Sequence, residues 1–169
     1  MMTFKALAIG LSLLVTGSVS IGGVQNIIDR SMANLTVKAS DDPYSLTIQK
    51  MLIGYDDQDK PTVGIAYRKI ESFKPITGVV IIEKTENGFI LREALFPDIK
   101  KIKSAKDRKH VLAILKQFKE VPFDPHANKS AVDGLSGATR YGRKTSGYLN
   151  YMARRVALEM EAEPNWPKK

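Results

Sequence analysis

The stretch Ile76-Thr77-Gly78-Val79-Val80-Ile81-Ile82, then Asn87-Gly88, then Phe89 through Leu95 decides the fold. All of its first seven residues except Gly78 are β-branched. Such side chains are stiff at χ1 and suit a pleated, packed surface, so the run reads as a central strand. Asn-Gly supplies the left-handed backbone that a two-residue hairpin needs, which turns the chain back into an antiparallel partner running from Phe89 to Leu95.

Working outward from this hairpin, Val63, Ile65 and Tyr67 alternate with neighbours of another character, as a strand with two distinct faces does. Before them Leu46, Ile48, Lys50 and Leu52 alternate with Thr47, Gln49, Met51 and Ile53 in a further strand. Tyr55 to Pro61 joins the two as an aspartate-rich turn. Asp57 and Asp59 lack the glycine and terminal glutamate of a calcium loop at the required spacing, so a solvated hairpin is expected there. After Pro97, Lys100, Lys101 and Lys103 form a basic loop. Ser104 with Asp107 three residues later opens a helix by capping, and Val111, Leu115 and Phe118 line one face before Pro122 stops it. A last helix carries Leu149, Met152, Val156 and Met160 on one stripe, keeps Arg154, Arg155, Glu159 and Glu161 largely off it, and ends at Pro164. The expected class is therefore α+β: an antiparallel sheet of hairpin-connected strands followed by two helices.

The 169 residues suffice for one domain. Residues 1–20 pair one lysine with an apolar run and a small-residue stretch ending at Ser20. They read as a signal peptide or an N-terminal membrane anchor, and in either case as an export leader. Residues 21–44 read as a linker or peripheral helix, 45–163 as the domain and 164–169 as a tail. The net charge of +8 comes from 26 basic and 18 acidic residues that are interleaved along the chain. With no RNA-binding motif among them, nucleic acid is not the expected partner, and a positive face for an acidic protein is the more economical use of the charge. There is no cysteine, which excludes disulfides, thiolate-held iron–sulfur clusters and c-type haem. His110 and His126 have no second ligand at helical spacing, so no metal site is expected.

Just ahead of the last helix stands Asp133-Gly134-Leu135-Ser136-Gly137-Ala138-Thr139. Two glycines permit close backbone approach, and two hydroxyls and a carboxylate surround them. Residue by residue, Ser136 or Thr139 is an N-cap that accepts from the free amides of the first turn. As a whole, Asp-x-x-Ser-Gly-Ala-Thr occurs by chance in roughly one in several thousand chains of this length. The string resembles the modification motif of the FMN-binding domain family, which includes the flavin-carrying subunits of Rnf-type and sodium-pumping NADH:quinone reductase complexes.

The resemblance implies FMN joined to Thr139 through a phosphoester bond, with Asp133, Ser136, Gly137 and Ala138 as the recognition string. A threonine hydroxyl needs activation, and only Asp133 stands beside it as a base. The resemblance accordingly implies a separate magnesium-dependent flavin transferase with FAD as donor. The start of the next helix favours a phosphate, and Arg140, Arg143 and Lys144 add countercharge. Tyr141, Tyr148 and Tyr151 are the aromatics nearest in sequence for packing on the isoalloxazine ring. Family members often continue with a second threonine and a serine; here Arg140-Tyr141-Gly142 intervenes.

The expectation is an exported electron carrier working between an unidentified donor and acceptor, such as a cytochrome or a membrane reductase complex. Two other classes stand beside it. One is a non-redox binding module with a basic docking surface. The other is a serine hydrolase using Ser136 of Gly134-Leu135-Ser136-Gly137-Ala138, whose last residue departs from Gly-x-Ser-x-Gly and whose histidines precede the serine.

Overall fold

A computed structural model of the chain describes residues 21–40, 48–70, 75–128, 132 and 142–164. Helix α1 (Ile21–Ser31) leads into β1 (Thr36–Ser40), β2 (Lys50–Tyr55), β3 (Pro61–Ile70), β4 (Ile76–Thr85) and β5 (Gly88–Leu95). A short 3-10 turn (Ile99–Lys101), α2 (Ala105–Lys116), β6 (Val121–Phe123) and α3 (Gly142–Ala162) complete the order. The six strands lie in one sheet in chain order, each antiparallel to the next. The α+β class holds, and α2 and α3 follow the hairpin-connected strands. The sheet is closed after α2 by the three-residue β6, which the sequence reading did not contain.

The expected hairpin forms, with its turn one residue earlier than the Asn-Gly pattern predicts: Glu86 and Asn87 make the turn, Thr85 pairs with Gly88, and Gly88 opens β5 with a φ of 132°, a conformation for which only glycine is free of strain. Between β2 and β3 the turn is closed by Asp56, whose Oδ1 accepts from the amides of Gln58 and Lys60 at 3.0 and 2.9 Å. That is an Asx turn, which needs no ion to hold it.

Both faces of the sheet are covered, which explains why β4 is apolar at successive rather than alternate positions. Met51, Ile53, Ala66, Ile70, Val80, Ile82 and Leu91 face one way, beneath α2 and α3. Leu52, Val63, Ile65, Tyr67, Val79 and Ile81 face the other way and receive Val24, Ile27 and Met32 from α1 and its end. The segment expected to be a linker or a peripheral helix thus supplies both a covering helix and the edge strand β1. Its pattern concealed this because every residue of β1 from Thr36 to Ala39 is exposed.

Helix α3 lies over β3, β4 and β5 with the whole predicted stripe of Leu149, Met152, Val156 and Met160 fully buried. It comes down on Gly64: a Cβ there would stand 2.6 Å from Met160 Sδ and 2.7 Å from Val156 Cγ2. The glycine permits that close approach. Helix α2 starts as the sequence indicated, with Ser104 Oγ accepting from the Asp107 amide at 3.2 Å, and buries Val111 and Ile114.

Candidate functional site

The residues on which the flavin reading depends, Asp133, Ser136, Gly137, Ala138 and Thr139, lie outside the described residues, as do Arg140 and Tyr141. The two flanks of the motif are described. On its N-terminal side Val132 is buried in the core, and Asn150 of α3 grips its peptide groups. Asn150 Nδ2 donates to the Val132 carbonyl at 2.8 Å and to the Ser146 carbonyl at 3.0 Å, while the Val132 amide donates to Asn150 Oδ1 at 3.4 Å. On the C-terminal side α3 begins at Gly142, three residues past Thr139. Both flanks of the motif are thereby tied to the same helix.

Beneath the N-terminal part of this helix is a group of polar side chains that the sequence reading did not single out. Arg68 sits on β3 opposite Gly78, on the face shared by Gly64, Ala66 and Ile70 because strand side chains alternate. It is only 6% exposed. Its guanidinium carbon lies 4.0 Å from the centre of the Tyr148 ring, and its Nε donates to the Lys69 carbonyl at 3.3 Å. Among the described residues its Nη1 is buried without a hydrogen-bond partner, and no carboxylate pairs with it. Thr145, three residues before Tyr148 and so on the same helix face, is 1% exposed, and its hydroxyl is also buried without a partner.

The magnitudes make this arrangement costly. Stripping a buried charge of its counter-ion typically costs on the order of 3–5 kcal/mol. A cation stacked on an aromatic ring recovers about 0.5–2 kcal/mol. Stacking on Tyr148 therefore does not offset the burial of Arg68. The donor set is an N–H of a guanidinium and a hydroxyl beside a helix start, which are the kinds of group that bind oxyanions. It fits the phosphate of a flavin nucleotide, and Tyr148 adds an aromatic surface.

Of the three tyrosines expected near the cofactor, Tyr148 is half-buried in this group and Tyr151 is exposed. Arg143 and Lys144 fall within α3, with their side chains outside the described residues. Of the histidines, His126 Nε2 meets Glu161 Oε2 at 2.7 Å on the surface. The signal that could have revealed Arg68 is a lone cation on a strand face otherwise made of Gly64, Ala66 and Ile70.

A second feature lies between α2 and β5, a cleft of about 580 Å³. Its floor is apolar, including Leu95, Leu115 and the exposed Leu112, and Lys109, Lys116 and Lys119 stand around it. Among the described residues no helix is long and apolar enough to cross a membrane.

Comparison with protein-family models, curated proteins and solved structures finds no match to the chain.

Proposed function

We propose that this chain is an exported electron-carrying flavoprotein, with FMN attached to Thr139 through a phosphoester bond by a separate magnesium-dependent flavin transferase that uses FAD. The observation that carries the reading is the Asp133–Thr139 string between Val132 and α3 in the sequence, ahead of a helix whose N-terminal part covers buried oxyanion donors that have no hydrogen-bond partner among the described residues. Asp133, Ser136, Gly137 and Ala138 serve as the recognition string, and Arg68, Thr145 and Tyr148 hold the attached group. When bound, the flavin supplies exchange of one or two electrons, so the protein links a two-electron donor to a one-electron acceptor. The chain itself contributes orientation, countercharge and retention of the cofactor outside the cell. Its redox partners are a donor and an acceptor of the cytochrome or membrane-reductase kind.

Mass spectrometry of protein exported alongside an active flavin transferase tests this. The wild-type chain should gain the mass of an FMN phosphoester that maps to Thr139 and is lost in Thr139→Ala. An unmodified Thr139, with a control substrate modified by the same transferase, refutes it. The same spectrum reads whether residues 1–20 are removed.

The cleft beside α2 favours a second reading, a docking module for an acidic protein. It differs from the first in requiring no flavin, so it predicts that flavin-free chain binds such a partner as tightly as loaded chain. Among the described residues no observation favours a hydrolase based on Ser136.

A further inference from the structure

We propose that Arg68, Thr145 and the first turn of α3 form a binding site for a phosphoryl group. Arg68 Nη1 and Thr145 Oγ1 are both buried and both lack a hydrogen-bond partner among the described residues. They approach the same helix: the Arg68 guanidinium carbon lies over the Tyr148 ring, 4.0 Å from its centre, and Thr145 is on that face between Tyr148 and the helix start. The first-turn amides of a helix have no intrahelical acceptor, and the dipole places positive potential there. A buried cation and a buried hydroxyl thus both lie along the N-terminal part of α3, and no carboxylate among the described residues pairs with the cation. The contact with the ring and the bond to the Lys69 carbonyl restrain the guanidinium, so that less entropy is lost when its unpartnered N–H groups meet a ligand. A tetrahedral oxyanion uses three kinds of donor at once, which a carboxylate or chloride does less well.

Assigning this phosphoryl group to the tethered FMN rests on the function proposed above. Thr139 precedes Gly142 by three residues, a span of at most about 11 Å, so a phosphoester on its hydroxyl lies within reach of the helix start. The oxyanion chemistry of Arg68 and Thr145 does not depend on that assignment.

The test uses the full chain carrying Thr139→Ala, so that no flavin can attach, and follows its melting temperature. Sodium phosphate, free FMN and riboflavin are titrated at ionic strength held constant with chloride. Phosphate is expected to raise the melting temperature by roughly 4 °C at tens of millimolar, corresponding to a millimolar Kd. Arg68→Gln and Thr145→Val should each weaken this response at least about tenfold, as loss of one charge-assisted or hydroxyl bond does. Thr145→Val should melt in chloride no lower than its parent, because it removes a buried hydroxyl that has no partner. That variant separates lost binding from lost folding. FMN binding more tightly than phosphate, with riboflavin silent, supports assignment to the flavin phosphate. Equal binding of FMN and phosphate supports an oxyanion site and refutes that assignment. The site is refuted if phosphate acts no differently from chloride, if both variants respond fully, if riboflavin matches FMN, or if Thr145→Val alone melts several degrees lower. Failure of flavin to attach at Thr139 in the mass-spectrometric test leaves each of these results unchanged.

Discussion

Tyr55 illustrates how much a single side chain reports on its surroundings. It is 3% exposed, burial and then a hydrogen bond to Glu163 raise its pKa well above the ordinary value of 10.0, and Lys38 lies 4.1 Å from the centre of its ring. Burial also raises Tyr67. A phenol whose folded pKa is raised keeps its proton while the unfolded chain loses one, so the unfolded state binds fewer protons above about pH 10 and stability falls there. Below that pH neither tyrosine contributes any slope. Urea melts between pH 9 and 11 should therefore steepen above 10 by up to about 1.4 kcal/mol per pH unit for each tyrosine. Tyr55→Phe should remove one share and leave that of Tyr67. An unchanged alkaline slope in Tyr55→Phe would show that its hydroxyl is not protected. Arg68 and Asn150 belong to this scale as well, and neither was legible in the sequence. A strand that contains one arginine reads as a strand with one solvated end, because the α3 that covers it lies some eighty residues away (Arg68 to Tyr148). Asn150 acts through the peptide of Val132, a pairing that no spacing rule encodes.

At the level of elements, the packing of α3 on β3 turns on Gly64. Gly64→Ala would drive a methyl into Val156 and Met160; Met160 has free rotamers, whereas the branched Val156 does not give way readily. The expected cost is about 1–3 kcal/mol, read as a lower urea midpoint at unchanged m-value. Adding Val156→Ala should recover part of it, so the two changes combine to less than their sum. Full additivity would mean that the helix shifts as a body. The elements that were legible carry their own instructions. The hairpin is fixed by Gly88, whose backbone follows the Glu86-Asn87 turn, the start of α2 by Ser104, and α3 by a stripe that stays apolar for three turns. Those that were missed lack such instructions. β1 is short and exposed at four of its five residues, and β6 contains Pro122, which is tolerated only because the strand is at the edge; α1 fits the peripheral-helix alternative but covers the sheet with few side chains. Each is held by the neighbour it meets rather than by its own pattern.

Across the whole molecule, the excess of positive charge is most consequential beside α2, where an apolar floor and three lysines adjoin. Reversing Lys109 and Lys116 to glutamate should slow association with an acidic protein about tenfold or more and flatten its dependence on salt, while the melting temperature moves little because both side chains are exposed. An unaltered rate would place docking on another face. The order of the strands bears on how the chain reaches this form. Each strand pairs only with its neighbours in sequence, so β1 to β5 need only local pairings, and β6 alone joins the sheet after the intervening α2. α3 is the last of the described elements in chain order, and the face around Gly64 and Ala66 is covered only when that helix docks. Docking of α3 therefore brings Tyr148 onto Arg68 in the same arrangement that buries Leu149, Met152, Val156 and Met160 against the sheet.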